Sequence, residues 1–321
     1  MKNSRALHLV PRPAVAAFAD DMLACLRRQP HAISPKYFYD AAGSRLFEQI
    51  CRLPEYYLTR TELAILSRHV GEMANLIGPD AEIVEFGAGS LTKIRLLLDA
   101  LRTPARFTAI DISGEHVESA LATLRGDYPG LEMAAIIEDF TRVETLPVWH
   151  TGQRRRIGFF PGSTLGNFSP ADAHRFLSSA ARLLRGGGLL IGIDLVKAPS
   201  LLHAAYNDAA GVTAAFNRNL LERANRELGS DFDLDAFSHY AFYNVHQQRV
   251  EMHLLAKEWQ EVSLLGERFS LAAGETIHTE SSYKFTLPGF TALATDCGFL
   301  PAAVWCDAEE LFSVHWLVSI R

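Results

Sequence analysis

The chain has little cysteine: Cys25, Cys51, Cys297 and Cys306 are scattered through 321 residues and form no C-x-x-C pair. That pattern excludes a disulfide-stapled scaffold and fits reduced thiols in a cytoplasmic protein. It is short of positive charge as well. A net charge of −6 excludes a non-specific nucleic-acid binder, which needs a surface that neutralises phosphates. The densest basic run, Arg154 to Arg156, lies between a Gly-Gln turn and a strand and reads as a solvated loop. Apolar runs are broken by Gly, Asp or Lys before they reach a membrane span, so no membrane association is expected. The opening MKNSRALHLVPRP has no continuous apolar segment of the signal-peptide kind. Repeats are lacking, and 48% hydrophobic with 21% charged residues is an ordinary globular composition.

Covalent and metal chemistry are also missing from the pattern. No G-x-S-x-G elbow occurs and no cysteine has an evident basic partner. His239, His246 and His253 recur every seven residues, but no cysteine or carboxylate completes close-spaced ligation, so no metal site is expected. The reaction, if there is one, needs no protein nucleophile.

What is present is a regular alternation from Ile83 onward. Strand candidates are EIVEF, RFTAID, LEMAAIIEDF, RIGFFPGS and GLLIGIDLV, separated by helix-patterned LTKIRLLLDALR, EHVESALATLRG and ADAHRFLSSAARLLRG. Buried strands joined by helix-length crossovers imply a doubly wound, mainly parallel α/β sheet covered on both faces. Before it, residues 13–29 read as a helix stopped at Pro30. Next comes KYFYDAAGSRLFEQICRLPEYYLTRTE, a segment dense in tyrosine that suits either a packed surface or a ligand wall. After it, LLHAAYNDAAGVTAAFNRNLLERANRELG reads as one long helical region, and VEMHLLAKE, QEVSLL and ERFSLAAG as short antiparallel strands joined by tight turns. AAVWCDA and FSVHWLVSIR then return to the first sheet. The expected division is a core of residues 62–197 plus 287–321 and a second α+β lobe of residues 8–61 plus 198–286.

The stretch EFGAGS sets Gly87 and Gly89 where the first strand turns into a helix, a form that lets the backbone approach a cofactor. RFTAID ends in Asp111, twenty-four positions after Gly87, where a carboxylate can hold ribose hydroxyls. Asp139 and Phe140 follow the third strand and suit an adenine amino group and ring face. The glycine-rich FFPGSTLGNFSP follows the fourth. A nicotinamide dinucleotide would favour a third glycine where Thr92 stands, with Lys93 next. S-adenosylmethionine has no phosphate, and the acidic Glu85 suits its cationic amino group. The methyl donor is the better fit.

Taken together, KYFYDAAGSRLFEQICRLPEYYLTRTE, EFGAGSLTKIRLLLDA, FFPGSTLGNFSP, IGIDLVKAPSLLHAAYNDAAGVTAAFNRNLL, VEMHL and HTESSYKF resemble the histidine-specific α-N-methyltransferases of ergothioneine biosynthesis. The resemblance covers essentially the whole length. It implies an S-adenosylmethionine-dependent methyltransferase core, a second lobe, and substrate between them. It also implies trimethylation of the α-amino group of L-histidine to hercynine. A fungal relative that methylates a prenylated tryptophan shares the architecture.

Carried onto matching positions, the resemblance implies cofactor contacts from Gly87, Lys93, Asp111, Asp139 and Phe140. It implies that Tyr56, Asn167 and Tyr206 bind the α-amino-acid portion, that Tyr39 lies near the reacting amine or imidazole, and that Glu280 and Ser282 read the imidazole. Tyr39 and Asn167 are the expected catalytic pair. Each has a plainer structural role open to it: Asn167 as the cap of the helix starting near Pro170, Tyr206 and Met252 as core, Phe216 as core rather than an aromatic face for the product cation. Expected partners are L-histidine and its methylated intermediates, with the protein a monomer in the cytoplasm. A nicotinamide-dependent oxidoreductase lacks a hydride-handling acid or base here, and a non-catalytic binding protein would not need the full set.

Overall fold

The computed structural model describes residues 14–89, 91–146 and 154–320. Helix α1 (Ala14–Arg27) is followed by the two-residue strand β1 (His31–Ala32), a 3-10 turn over Pro35–Phe38, α2 (Ala41–Ile50) and α3 (Tyr57–Ile77). The alternation expected from sequence then appears: β2 (Glu82–Phe86), α4 (Thr92–Ala100), β3 (Arg106–Asp111), α5 (Gly114–Asp127), β4 (Glu132–Ile137), β5 (Arg156–Phe160), α6 (Pro170–Leu183) and β6 (Gly188–Asp194). Helices α7 (Pro199–Tyr206) and α8 (Val212–Leu228) precede β7 (Phe237–Asn244), β8 (Arg249–Ala256), β9 (Gln260–Leu264), β10 (Glu267–Leu271) and β11 (Thr276–Tyr283). The described chain closes with α9 (Leu287–Asp296), β12 (Phe299–Cys306) and β13 (Phe312–Ser319).

Seven strands form the large sheet in the order β12-β13-β6-β5-β2-β3-β4. The pairs from β6 across to β4 are parallel, and β13 runs antiparallel to both its neighbours. Strand order therefore reverses between β2 and β5, the switch point outside whose carboxyl ends a ligand binds. Alternate residues feed two cores. Ile83, Phe107 and Phe159 pack with α3, α4 and α5 on one face. Val84, Ile110 and Phe160 pack with α6 and α9 on the other. That is the doubly wound sheet, and its antiparallel β13 sets it apart from the all-parallel dinucleotide arrangement.

The chain divides into two compact units, Leu58–Val196 with Lys284–Arg321, and Pro11–Tyr57 with Lys197–Tyr283. Where the chain re-enters the first unit, Lys284 Nζ lies 2.7 Å from Asp194 Oδ2, both side chains fully buried.

Two expectations about the second unit are corrected. The single long helical region is two helices, because Asp208 accepts the Val212 and Thr213 backbone N–H groups at 2.8 Å and Gly211 takes φ +72°, starting α8 anew. Nor do the three short strands form one meander. Strands β9 and β10 pair as a separate hairpin, whereas β8 lies between β7 and β11 in a four-stranded sheet ordered β1-β11-β8-β7. The signal for β7 and β11 was weak because polar residues interrupt their alternation.

Candidate active site

In the first unit the carboxyl ends of β2 to β5 gather the expected residues. After β2, Gly87 and Gly89 adopt φ of +69° and +45°, where a Cβ is disfavoured. A Cβ at Gly87 would also stand 3.4 Å from the Phe140 ring. The Gly87 and Ala88 N–H groups bond Ile110 O on β3, at 2.9 and 3.1 Å. Asp111 then clamps the turn from the next strand. Its Oδ2 accepts from Gly89 N–H at 3.1 Å and its Oδ1 from Ser113 N–H at 2.8 Å. Asp139 accepts through Oδ1 from the backbone and hydroxyl of Thr141. Phe140 is half-buried against Phe160, Phe168 and Phe176.

Glu85 is 2% exposed, and its Oε2 has no hydrogen-bond partner. Burial pushes its pKa well above the usual carboxylate range. Lys93 partly opposes this, and the carboxylates of Asp111 and Glu62 add to it. An orphaned buried carboxyl oxygen beside a glycine turn fits a cationic ligand group. The residues at this end of the sheet therefore suit the sulfonium donor, whose amino-acid end carries an ammonium.

Glu62 was not legible in the sequence, where it is one more acid early in a helix. In the fold it is a buried hub. Its carboxylate takes Lys93 Nζ at 2.5 Å and the Gly162 N–H at 2.9 and 3.0 Å, so it ties α4 to the loop after β5. Only glycine at 192 leaves room for it, since a Cβ there would meet Glu62 Oε1 at 2.1 Å. The same loop is fixed a second time by Ser163, whose φ is +55° and whose Oγ accepts from Asp194 N–H at 2.9 Å. Asn167 ends the 3-10 turn Thr164–Asn167 on this anchored loop. The capping role open to it is filled by Ser169, which accepts from Asp172 N–H at the start of α6.

The second unit brings the remaining expected residues together. A small, partly open hollow is lined by Phe47, Ile50, Tyr56, Ala205, Tyr206, Thr213, Phe216, Met252 and Glu280. Tyr39 joins its wall by edge contacts to Phe47 and Phe216, at 5.6 and 5.8 Å between centroids. Tyr56 and Tyr206 meet edge-on at 6.4 Å. On β11, Glu280 pairs with Met252 of β8, and Ser282 shares its face two residues on. Tyr206 Oη donates to Ser282 Oγ at 2.8 Å. Ser281 points elsewhere and bonds His278 Nε2.

Electrostatics keep this pocket in defined protonation states. Burial, with the nearby Tyr206, Cys51, Tyr39 and Glu280, raises the Tyr56 pKa well above that of a free phenol, so its hydroxyl keeps its proton. His239 holds Tyr206 from behind, its Nε2 2.8 Å from Tyr206 O and its Nδ1 2.9 Å from Asn217 Nδ2. With Asn217 donating, the neutral ring donates in turn to the carbonyl. Met252 and Phe216, for which the sequence favours core packing, line the pocket, and so do Phe47 and Thr213, which carry no signal beyond helix-face periodicity.

A family model described as histidine-specific methyltransferase, SAM-dependent, matches residues 18–319. The chain is 44% identical to the histidine N-alpha-methyltransferase of Mycolicibacterium smegmatis, over 99% of this chain and 100% of that protein. It is 40% identical to the enzyme of the same name from Mycobacterium tuberculosis, over 98% of each. A more distant relative is the 4-dimethylallyltryptophan N-methyltransferase of Epichloe festucae var. lolii, 25% identical over 88% of this chain and 89% of that one. A switch-point glycine turn, an acid ending or following each of strands β3 and β4, and a match over nearly the whole length agree: the chain belongs to the family of S-adenosylmethionine-dependent, histidine-specific methyltransferases.

Proposed function

We propose that this enzyme methylates the α-amino group of L-histidine and carries the product to the trimethylated betaine, hercynine, a step of ergothioneine biosynthesis. The observation that most supports the choice of amino acid is a polar end in an aromatic pocket. Glu280 and Ser282 lie on one face of β11, both buried; Glu280 lines a hollow walled mainly by rings and apolar side chains, and Ser282 is bonded to Tyr206 of its wall. A carboxylate accepts one imidazole N–H, and a hydroxyl serves the other nitrogen as donor or acceptor. An indole offers only one N–H and has no second nitrogen to meet the pair. That weighs against the tryptophan-type substrate named for the Epichloe relative.

S-adenosylmethionine supplies an activated methyl group for in-line displacement by an amine lone pair. Gly87, Lys93, Asp111, Asp139 and Phe140 would hold it, and the Glu85 carboxyl would suit its ammonium. Tyr56 would donate to the substrate carboxylate without adding charge, and Tyr206 would do so once its hydroxyl turns from Ser282 Oγ. Asn167 offers a donor and an acceptor in one amide, enough to orient amine and carboxylate together. Tyr39 lies near the reacting end. None of these groups is a strong base, so the chain acts by holding a neutral amine at near-attack distance and excluding water. Scattered thiols, a net charge of −6 and a small-molecule pocket lined by one chain's own residues support a monomer acting in a reducing cytoplasm with no nucleic-acid or membrane partner.

Calorimetric titration of the cofactor-loaded protein tests the substrate. L-Histidine should bind, and L-phenylalanine and L-tryptophan should not. Equal affinity for the three would overturn the imidazole assignment.

A further inference from the structure

The small sheet carries a second group of chemistry-bearing side chains on the side away from Met252 and Glu280. Glu251 and His253 flank Met252 in sequence on β8, so they project to the opposite face. On β11 the register shifts between His278 and Glu280, so that His278 pairs with His253 while Glu280 pairs with Met252. This bulge brings His278 to the side of Glu251 and His253. One ligand-type atom from each of the three lies within 4.8 Å of the others.

Their other hydrogen bonds fix the rings as a supporting shell would. His253 Nδ1 is 3.2 Å from Thr276 Oγ1, and its Nε2 is 3.2 Å from Glu251 Oε2. The His278 ring bonds the Glu280 backbone, and its Nε2 lies 3.0 Å from Ser281 Oγ, a hydroxyl free to rotate. Glu251 is held through Oε1, which accepts from Asn244 Nδ2 and Arg249 Nε at 2.9 Å, leaving Oε2 toward His253. The positive charge beside them, Arg249, is paired by Glu251 and bonded to Tyr283 Oη. Metal bonds of about 2.0–2.1 Å in tetrahedral geometry set ligand atoms a little over 3 Å apart; Glu251 Oε2 and His253 Nε2, joined by a hydrogen bond, are 3.2 Å apart, and His278 would close in from within 4.8 Å.

Two imidazoles and a carboxylate make a donor set suited to zinc.

We propose that Glu251, His253 and His278 bind one divalent transition-metal ion of the zinc class, which ties β8 to β11 beside the bulge that presents Glu280. Binding moves the His253 ring proton from Nε2 to Nδ1, where Thr276 Oγ1 accepts it, and turns the Ser281 hydroxyl away from His278. Untagged protein, stripped with a chelator, is titrated with Co²⁺ as a visible probe and then with Zn²⁺ by calorimetry. The expected result is one equivalent of Co²⁺ with four- or five-coordinate absorption, displaced by Zn²⁺, and a higher thermal midpoint on loading. His278→Asn and His253→Gln should each abolish the spectrum and the midpoint shift while circular dichroism stays unchanged. Glu251→Gln gives an independent third variant should either of these fail to fold. Absence of saturable binding at one equivalent, or binding that survives in every folded variant, would overturn the site.

Discussion

Under the proposed function, amino-acid choice turns on Glu280. It is 8% exposed and sits at the polar end of an aromatic hollow. An apolar substrate would offer the Glu280 carboxylate no hydrogen bond in exchange for that of an imidazole, a cost of roughly 1–3 kcal/mol. Glu280→Gln should therefore lower kcat/KM for histidine by about 10- to 100-fold while sparing cofactor affinity, and narrow its lead over phenylalanine. Steady-state kinetics with both amino acids give the answer, and an unchanged ranking would remove Glu280 from the specificity account. Glu85 makes a separate prediction in pH. Its folded-state pKa is raised, so it stays protonated where the unfolded chain has lost the proton. The stability it contributes is present below the ordinary pKa of 4.5 and is lost as pH rises through the folded value. Glu85→Gln should thus stabilise the ligand-free protein at neutral pH and weaken donor binding by about tenfold, having lost the charge that meets the ammonium. Wild-type binding should release a proton, read from the dependence of calorimetric heat on buffer ionisation enthalpy. Heats that are independent of buffer would contradict a protonated Glu85.

At the scale of elements, the loop after β5 separates two roles that the sequence left joined. Ser169 caps α6 and Asn167 does not, so the two substitutions should diverge. Ser169→Ala should cost about 1 kcal/mol of stability with little effect on turnover. Asn167→Ala should melt near wild type yet lose most activity, and a normal rate in that variant would leave the loop with no part in catalysis. Glu62 anchors the same loop and Lys93, so Glu62→Gln should weaken the hold on both. The expected outcome is a fall of about tenfold in donor affinity with histidine binding to the second unit's pocket less affected, measured by calorimetry. Equal donor affinity would reduce Glu62 to core structure. The strand ends were legible because each carries its own local sign: glycines after β2, Asp111 ending β3, Asp139 after β4, a glycine-rich turn after β5. Glu62 was not, because what makes it a hub is Gly162, a hundred residues away. Arg155 was read as part of a solvated loop, yet its Nη1 bonds Ile77 O at the end of α3, again a distant partner. The bulge in β11 and the pairing of β8 with β7 depend on register, which spacing along one strand does not reveal.

Over the whole molecule, the interrupted alternation of the sequence corresponds to a chain that leaves the large sheet after β6 and returns at Lys284 to complete it. The seven-stranded sheet carries the glycine turn and strand-end acids at its switch point, and the inserted unit carries the aromatic hollow. The most direct measurement incubates the purified chain with methyl-labelled S-adenosylmethionine and each of the twenty amino acids, and follows label into product by mass spectrometry. The account predicts label in histidine alone, on the α-nitrogen, advancing to the trimethylated betaine. Label on the imidazole ring, label shared equally with phenylalanine or tryptophan, or none in histidine would contradict it.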